Sequence, residues 1–550
     1  MRYLKFIIGL VFALTLFACG EESDPGKDPV EEIEQWLVAE YSFESSLDYD
    51  DSFNEVELDV LFLHEEGAEY FIPAFWDGDS TWRVRFAPPL QGSWTYNTRC
   101  SDTENDGLHG LTGEFRCVSY TGEHLIYQKG FIRALPGNRY FTYDDGTPFF
   151  YLGDTHANIP ANRLENFKTI IDKRVEQGFT IIQSQPLEAG YDLSNGLTEN
   201  DLSYFSNLDE RFKYVADRGL VHANAQFFFV STLGWNRANY PDAYLEKLAR
   251  YWVARYSAYP VLWTTAQECD NDFNFAEHQH DYYTAETNPW KRVASYMHQY
   301  DPYKHPLTAH MEYAGYTLAS TSSFREVEGH NWWAVQWSPR KDGVMYSEVP
   351  RNFKEKGQGK VTILFEGSFD YLWTNHFGAR MQGWSAYLNG MYGYGYGAAD
   401  IWLYNSTYNM DAPTIRDGIT VTIEQKQTKW PESMEFETAY QLGYMKDFFQ
   451  DIPWWELFPR FDSQQWLYNM GSYYALASIA SELYVVYFYN RDLNTGRIRN
   501  LNNTSYTVQW FNPRTGLYIS SETVTIRDGT YQIGDKPDEN DWVLLMKKAN

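Results

Sequence analysis

Tyr259-Pro-Val-Leu-Trp-Thr-Thr-Ala-Gln-Glu268 and Lys360-Val-Thr-Ile-Leu-Phe-Glu366 are the two stretches that decide the fold. Each is a short apolar run, typical of a strand buried on both faces, and each ends in a glutamate. Neighbouring segments such as 163–178 and 242–257 space their apolar residues as amphipathic helices do. Buried strands that alternate with helices predict a (β/α)8 barrel, a fold that keeps its chemistry at the C-terminal ends of its strands.

Eight strand units can be counted in the central part of the chain, which predicts a TIM barrel domain over residues 126–453. The predicted strands are 149–154, 179–185, 222–229, 259–268, 305–310, 330–336, 360–366 and 394–402. The predicted helices are 163–178, 208–218, 242–257, 290–300, 342–355 and 377–391.

Short alternating segments broken by Gly, Asp and Pro flank the barrel on both sides. The clearest are 56–63 and 81–87 before it, and 482–489, 506–512 and 542–546 after it. Alternation with turn signals at short spacing indicates antiparallel β-sandwiches. We therefore predict a multidomain protein in which an immunoglobulin-like β-sandwich (34–125) precedes the barrel and a second β-sandwich (454–550) follows it.

The N-terminus has the pattern of an export signal. Two basic residues precede an apolar run over 6–18 that is too short for a membrane span. Leu16-Phe-Ala-Cys19 resembles a bacterial lipobox, which predicts that 1–18 is removed and that Cys19 is lipidated; the alternative is a plain signal peptide. The acidic segment 19–33 is predicted to be a tether. It resembles the signal that sends some lipoproteins to the cell surface, so we expect an anchor in the outer membrane, with the periplasmic face as the alternative.

The composition indicates which classes of molecule the protein binds. A net charge of -29 argues against nucleic acid, because phosphates require a basic face. The aromatic share of 18%, with 20 Trp and 44 Tyr, fits a carbohydrate partner in an exported protein, although many of these rings also fill cores. The sequence has no CxxC or HExxH motif. We predict neither a metal site nor a cofactor, and we expect contact with the membrane through the lipid anchor alone.

The remaining cysteines have two expected roles. Cys100 and Cys117 flank one loop, and a disulfide between them is possible in an oxidising compartment, but the sequence does not decide whether it forms. Cys269 directly follows Glu268 and is expected to be a buried thiol.

Glu268 and Glu366 are the candidate catalytic residues. Two carboxyl groups about 5 to 5.5 Å apart cleave a glycosidic bond with retention, and opposite strands of a barrel mouth supply that separation. The alternative for either residue is a structural role, paired with an arginine. The resulting prediction is a glycosidase that acts on a plant or algal polysaccharide or a derived oligosaccharide. A glycan-binding lipoprotein without catalysis is the competing hypothesis.

Other polar and aromatic residues near the predicted strand ends are candidates for substrate contacts, with packing or helix capping as the alternative for each. They are Asp154, His156, Gln185, Gln226, His310, Gln336, Trp337 and Trp402. Trp332 and Trp333 are further candidates for stacking on a sugar.

Three segments carry a resemblance to a known family. Tyr151-Leu-Gly-Asp-Thr155, 263–268 and 389–402 resemble the apiosidase-like glycoside hydrolases, which comprise glycoside hydrolase family 140 and its relatives. The C-terminal Trp510-Phe-Asn-Pro-Arg-Thr-Gly516 resembles the sandwich that these proteins carry. In that family the sandwich bears the name of a collagen-binding domain. Adhesion to matrix or collagen is therefore the third and last-ranked hypothesis for the function.

The resemblance implies the fold predicted above and assigns roles to the two glutamates. It implies a retaining mechanism in which Glu268 is the acid/base after strand four and Glu366 is the nucleophile after strand seven. One departure is that the characterised apiosidase pattern has Asp where this chain has Glu268. This departure bears on the identity of the sugar and leaves the hydrolase prediction in place.

Overall fold

The structure is a computed structural model, and the account below concerns the residues that it describes. These are 30–156, 159, 162–184, 197–223, 242–267, 269, 288–313, 318–337, 347–371, 374–402, 415–416, 419–420, 429–461, 464–468, 474–489 and 493–549. The predicted leader and Cys19 lie outside them. Within these ranges, no helix has both the length and the hydrophobicity that are needed to cross a membrane.

The N-terminal domain is a β-sandwich, as predicted. Its elements are β1 (Glu32–Glu34), β2 (Ala39–Glu44), α1 (Ser52–Glu55), β3 (Leu58–His64), β4 (Glu69–Pro73), β5 (Phe75–Trp76), β6 (Thr81–Phe86), β7 (Gly92–Cys100) and β8 (Thr112–Val118). The sheets β1-β8-β7-β3-β4 and β2-β6-β5 pack through inward-facing rings, of which Phe62 and Phe86 stack with centroids 4.2 Å apart. Because β1 pairs with β8 from Glu32 onward, the sheet includes the last residues of the predicted tether.

The possible disulfide between Cys100 and Cys117 is not formed, and both residues are buried thiols. Cys100 is the last residue of β7, whereas Cys117 pairs with Gly92 at the start of that strand. The two register positions are therefore roughly 26 Å apart along the strand, at about 3.3 Å per residue. A disulfide requires Cα atoms within about 7 Å. Burial raises the pKa of the Cys117 thiol to about 12.

The central domain is the predicted barrel. After α2 (Leu125–Gln128), its strands are β9 (Tyr151–His156), β10 (Ile181–Ser184), β11 (Val221–Ala223), β12 (Val261–Thr264), β13 (Leu307–Thr308), β14 (His310–Tyr313), β15 (Trp332–Gln336), β16 (Val361–Glu366) and β17 (Gly393–Tyr396). They form one parallel sheet in the order β13-β12-β11-β10-β9-β17-β16-β15-β14. Because β13 and β14 are separated by Ala309 alone, the two edges of the sheet meet at the fifth strand position.

Helices surround the sheet. They are α3 (Leu164–Glu176), α4 (Glu199–Asp217), α5 (Asp242–Tyr256), α6 (Pro289–Tyr300), α7 (Glu348–Lys356), α8 (His376–Leu388), α9 (Ala399–Trp402), α10 (Trp430–Met434) and α11 (Glu437–Gln450), and a 3-10 turn follows at Trp454–Glu456. The described part of the segment between α9 and α10 contains the hairpin strands β18 (Ile415–Arg416) and β19 (Ile419–Thr420).

Two sequence predictions were wrong at element ends. The predicted eighth strand, 394–402, ends at Tyr396, and its second half is helix α9. Gly397 lies against the Phe369 ring, and the Ala–Ala–Asp sequence that follows favours a helical turn over a strand. The helix predicted over 208–218 begins earlier, at Glu199, because the Asp201 carboxylate accepts a hydrogen bond of 2.6 Å from the Thr198 backbone N–H.

The C-terminal domain is the second predicted β-sandwich. Its strands are β20 (Phe458–Pro459), β21 (Leu467–Tyr468), β22 (Tyr474–Ile479), β23 (Leu483–Phe488), β24 (Arg497–Ile498), β25 (Ser505–Asn512), β26 (Leu517–Thr525), β27 (Tyr531–Gln532) and β28 (Trp542–Lys548). The sheets β20-β22-β23-β28-β25-β26 and β21-β24-β27 enclose a core that includes Tyr484, Phe488 and Leu544.

Buried arginines join both sandwiches to the barrel. Arg85 of β6 donates to Asp209 of α4 and to the Arg255 carbonyl of α5, each at 2.7 Å. Arg380 of α8 binds both carboxylate oxygens of Asp541, at 2.7 and 2.8 Å, just before β28. These pairs hold the two sandwiches against the helices that surround the barrel.

Candidate active site

Glu366 ends β16 at the C-terminal mouth of the barrel and is 6% exposed. Both of its carboxylate oxygens accept hydrogen bonds from side-chain amides. Gln267 Nε2 donates to Oε2 at 2.7 Å, and Gln336 Nε2 donates to Oε1 at 3.1 Å. Because an amide nitrogen can only donate, this arrangement fixes the oxygens of Glu366 as acceptors and sets the orientation of the carboxylate.

His310, at the fifth strand position, lies beside the same carboxylate. Its Nε2 is 3.6 Å from Glu366 Oε2, and its side chain is fully buried. Burial lowers the pKa of His310 to about 3, so the imidazole is neutral at physiological pH. The structure therefore places His310 at the predicted site, as a neutral polar neighbour of Glu366.

The end of strand four also reaches Glu366. Glu268 itself lies outside the described residues, but both of its neighbours are described. The Gln267 side chain reaches Glu366, as stated above. The Cys269 backbone N–H donates to the His310 carbonyl at 3.0 Å, and its thiol is fully buried near Thr265. The expectation of a buried thiol at Cys269 is confirmed.

Asp154 and His156 of β9 form a buried hydrogen-bonded cluster with Arg174 of α3. Asp154 Oδ2 accepts from Arg174 Nε at 2.7 Å and lies 2.8 Å from His156 Nε2. Burial alone would raise the pKa of Asp154, but the charge of Arg174, together with the hydrogen bonds to Arg174 and His156, outweighs it and holds the pKa below its usual value. Neither the Asp154 carboxylate nor the His156 ring has appreciable exposed surface. The substrate contacts predicted for both would require this cluster to open.

Gln183 was missed by the sequence interpretation, although it connects three strands beneath the site. Its Nε2 donates to the Phe365 carbonyl at 2.8 Å, next to Glu366, and to Thr155 Oγ1 at 3.1 Å. Its Oε1 accepts from the Tyr151 hydroxyl at 3.0 Å. An inward-facing polar residue in the strand that the sequence predicts over 179–185 was the available signal.

The remaining candidates have different placements. Gln336 is half-buried at the mouth and donates to Glu366, and its contact with substrate stays a prediction. Trp337 is fully buried, and its backbone N–H donates to the Glu366 carbonyl at 2.8 Å. Trp402 is half-buried, and its ring centroid is 5.0 Å from that of Phe369.

Trp332 and Trp333 are fully buried, which excludes them as exposed stacking platforms. Gln185 and Gln226 lie outside the described residues.

Comparison with known families agrees with this architecture. A model described as "Apiosidase-like, catalytic domain" matches residues 136–456, which is more than half of the chain. The chain belongs to the apiosidase-like family. A domain of unknown function, DUF5060, matches 32–101, and a model named "Putative collagen-binding domain of a collagenase" matches 468–547. This apiosidase-like protein is therefore a glycosidase with a barrel between two further domains.

Solved structures share the fold at low sequence identity. A crystal structure named as a "putative glycoside hydrolase" from Bacteroides vulgatus ATCC 8482 is 16% identical, with a TM-score of 0.67. The match covers 94% of this chain and 100% of that one. A glycoside hydrolase family 5 structure from the same organism is 16% identical with a TM-score of 0.60, and the match covers 78% of this chain and 95% of that one. No curated protein sequence matches this chain significantly.

Proposed function

We propose that this glycosidase cleaves a plant or algal polysaccharide, or an oligosaccharide derived from one, by a retaining mechanism with two carboxyl groups. The observation that carries the proposal is the setting of Glu366, whose two oxygens are held by Gln267 and Gln336 at the end of β16. A carboxylate with a fixed orientation at a barrel mouth suits attack on an anomeric carbon.

In this mechanism Glu366 is the nucleophile and Glu268 is the acid/base. Glu268 protonates the glycosidic oxygen while Glu366 forms a bond to the anomeric carbon, which releases the leaving alcohol. Glu268 then removes a proton from water, the water attacks the same carbon, and Glu366 leaves with the electrons of its bond. The position of Gln267, adjacent to Glu268 in the chain and 2.7 Å from Glu366, supports this pairing of residues.

Neutral amides and a neutral imidazole around Glu366 suit a nucleophile. Gln267, Gln336 and His310 direct the carboxylate without giving it a formal positive partner that would weaken its attack. When the glycosyl bond forms, one carboxylate oxygen loses its charge and the other keeps an amide donor.

The roles of the two glutamates can be tested separately. We expect Glu268→Ala and Glu366→Ala to lower turnover at least about 10³-fold with the fold intact. With an activated substrate, azide should rescue Glu268→Ala to a glycosyl azide of retained configuration, and Glu366→Ala to one of inverted configuration. Glu66→Gln, an exposed change in the β3–β4 turn, is the matched control. Near-normal turnover in either active-site variant would overturn the proposal.

The substrate class requires a separate experiment. Side-chain-bearing pectins, algal glycans and unrelated bacterial or animal glycans are incubated with the full chain, and the released sugars are resolved by chromatography. We expect release from a plant or algal glycan, and none from the same material treated with Glu366→Ala. Release confined to the other glycans would overturn the proposed substrate class and leave the mechanism in place.

We also propose that the protein is a lipoprotein anchored through Cys19 at the surface of the outer membrane. The support is the leader pattern over 1–18 and the acidic segment that follows Cys19. We expect the protein in wild-type cells to be labelled by radioactive palmitate. We also expect it to be degraded when intact cells are treated with protease. Cys19→Ala should remain unlabelled, and a labelled Cys19→Ala protein would contradict the anchor.

A further inference from the structure

Three cations surround the exposed ring of Phe458 where the barrel meets the C-terminal sandwich. Lys354 Nζ of α7 is 3.6 Å from the ring centroid. The guanidinium carbons of Arg460, just after β20, and of Arg139, before β9, are 5.1 and 5.6 Å from it. The ring is nevertheless 42% exposed, so the cluster lies at the surface.

The clustering is unusual for a chain of net charge -29, because like charges in close proximity repel. Within the part of the chain that the structure describes, none of the three cations forms an ion pair with a carboxylate. Burial, together with the positive charges of Arg139 and Arg460, lowers the pKa of Lys354 to about 8, and Glu355 only partly opposes them. Arg139 Nη1 is buried without an acceptor. These observations indicate a site that lacks its counter-charge.

Aromatic rings and cations continue to alternate away from this cluster across the C-terminal domain. Arg460 also lies over the Trp466 ring, with its guanidinium carbon 3.9 Å from the centroid. The Arg499 backbone N–H donates to the Trp466 carbonyl at 2.8 Å, and its guanidinium lies 4.6 Å from the Tyr468 ring. Tyr468 is 42% exposed. We call the residues Arg139, Lys354, Phe458, Arg460, Trp466, Tyr468 and Arg499 the cationic strip.

The cationic strip is remote from the active site. Lys354 lies in the last turn of α7, and Arg139 precedes β9, so both are near the N-terminal ends of barrel strands. Glu366 is at the C-terminal end of β16, whose length separates the two levels by roughly 17 Å at about 3.3 Å per residue. A ligand on the strip therefore does not occupy the catalytic mouth.

We propose that the cationic strip is a second glycan-binding site, which binds the carboxylate or sulfate groups of an anionic polysaccharide. Guanidinium and ammonium groups bind such anions through charge-assisted hydrogen bonds, and the aromatic rings between them hold these groups at the surface by cation–π contacts. A membrane surface is the less favoured ligand, because Trp466 is only half-exposed and a guanidinium covers one of its faces. The proposal does not depend on the role of Glu366.

Calorimetric titration of the full chain with defined oligosaccharides tests the proposal. The probes are an oligogalacturonate, a sulfated oligosaccharide of similar length and a neutral oligogalactan, with Glu366→Ala as the background so that no probe is cleaved. We expect binding of at least one anionic probe, no binding of the neutral probe, and weaker binding as salt increases. The two anionic probes distinguish carboxylate from sulfate as the recognised group.

Variants of the strip make the test specific. Lys354→Gln and Arg460→Gln should each weaken binding about tenfold or more, and Phe458→Ala should weaken it without changing its salt dependence. Lys548→Gln is the matched control, because it removes one positive charge from the same domain at an exposed pair with Glu482. The thermal unfolding midpoint of each variant checks that it is folded. If Arg460→Gln does not fold, Lys354→Gln still tests the proposal.

Three outcomes would overturn the proposal. The first is equal binding of neutral and anionic probes. The second is binding that the strip variants leave unchanged relative to Lys548→Gln. The third is strip-dependent binding to phosphatidylglycerol vesicles without binding to any oligosaccharide, which would assign the strip to a membrane surface. The strip variants and Lys548→Gln are compared in one and the same background, so the loss of binding in the strip variants is measured whether or not Glu366 proves to be the nucleophile.

Discussion

At the scale of single residues, the site depends on side chains that flank the predicted glutamates. The sequence pattern identified Glu366 because an acid ends an apolar run. It could not identify Gln267 and Gln336 as the partners of that acid, because their convergence depends on how strands four, six and seven are arranged around the barrel. An amide at a strand end is chemically suited to many roles, and its distance from Glu366 decides which one it has.

Gln336→Leu should lower kcat about 10- to 100-fold with little change in KM. The reason is that a hydrogen bond to a charged group contributes about 1.5–3 kcal/mol, and this one orients the attacking carboxylate. Steady-state kinetics of the purified variant measure the effect. Gln336→Asn, which keeps an amide on a shorter side chain, should recover part of the loss. Equal activity of Gln336→Leu and wild type would show that the contact does not position Glu366.

Buried histidines, among them His222 and His310, should make the folded state sensitive to acid. Burial lowers the pKa of His222, and of His310, to about 3, whereas the unfolded value is near 6.5. The unfolded chain therefore binds more protons between these values, and the free energy of unfolding falls as pH drops below about 6.5, by up to about 1.4 kcal/mol per pH unit for each histidine.

Urea denaturation at pH 7, 6 and 5 checks this prediction. His222→Gln should be less sensitive to acid than wild type, because one of the titrating groups is removed. An unchanged pH dependence in this variant would show that His222 does not contribute to acid sensitivity.

At the scale of elements, periodicity predicted most of the barrel, and the exceptions have local causes. Buried strands such as β16 are short apolar runs that are rich in β-branched residues, so their existence could be predicted. The end of the eighth strand was not predicted, because Gly397 permits either a strand or a turn until the Phe369 ring is in place. Helix α4 was predicted too short, although Leu202 and Phe205 in its first turns continue the apolar spacing of Leu208.

Close approach of β16 and β17 depends on a glycine. A Cβ atom at Gly395 would lie 2.1 Å from the Phe365 carbonyl oxygen and 2.3 Å from Gln183 Oε1. Gly395→Ala should therefore lower the free energy of unfolding by several kcal/mol. Steric overlap in a packed core is one of the causes of the largest losses that point mutations produce, about 4–5 kcal/mol. It should also reduce turnover, because Phe365 adjoins Glu366.

Gly534→Ala is the control for Gly395→Ala, since nothing lies within 4 Å of its added Cβ. The free energies of unfolding of the two variants, measured with denaturant, should differ by several kcal/mol. Comparable stability in both would contradict the close packing of β16 on β17.

At the scale of the whole molecule, three domains are joined by buried charges rather than by apolar surface alone. Arg85 and Asp209 connect the N-terminal sandwich to the barrel, and Arg380 and Asp541 connect the C-terminal one. Burial alone would raise the pKa of Asp541, but Arg380 outweighs it and holds the pKa below its usual value. Such pairs are costly to break because the remaining charge loses its partner while still buried.

Asp541→Asn should destabilise the contact between the barrel and the C-terminal sandwich by about 3–5 kcal/mol. The charge of Arg380 would remain buried without its carboxylate, so we expect the C-terminal sandwich to unfold before the barrel in differential scanning calorimetry. Lys548→Gln breaks only an exposed pair and should change stability by less than about 1 kcal/mol. A single unchanged transition in Asp541→Asn would show that the two domains are coupled by other contacts.

The sequence by itself determined the order of the three domains, the parallel barrel and the position of Glu366 at a strand end, because these depend on local periodicity and on which residues follow an apolar run. Only the tertiary structure decided which side chains face one another. It separated Cys100 from Cys117, placed Asp154 in a buried pair, brought two amides to Glu366 and gathered three cations around Phe458. The physical reason is that these contacts join residues far apart in the chain, and their distances depend on sheet register and domain packing, which no local pattern encodes.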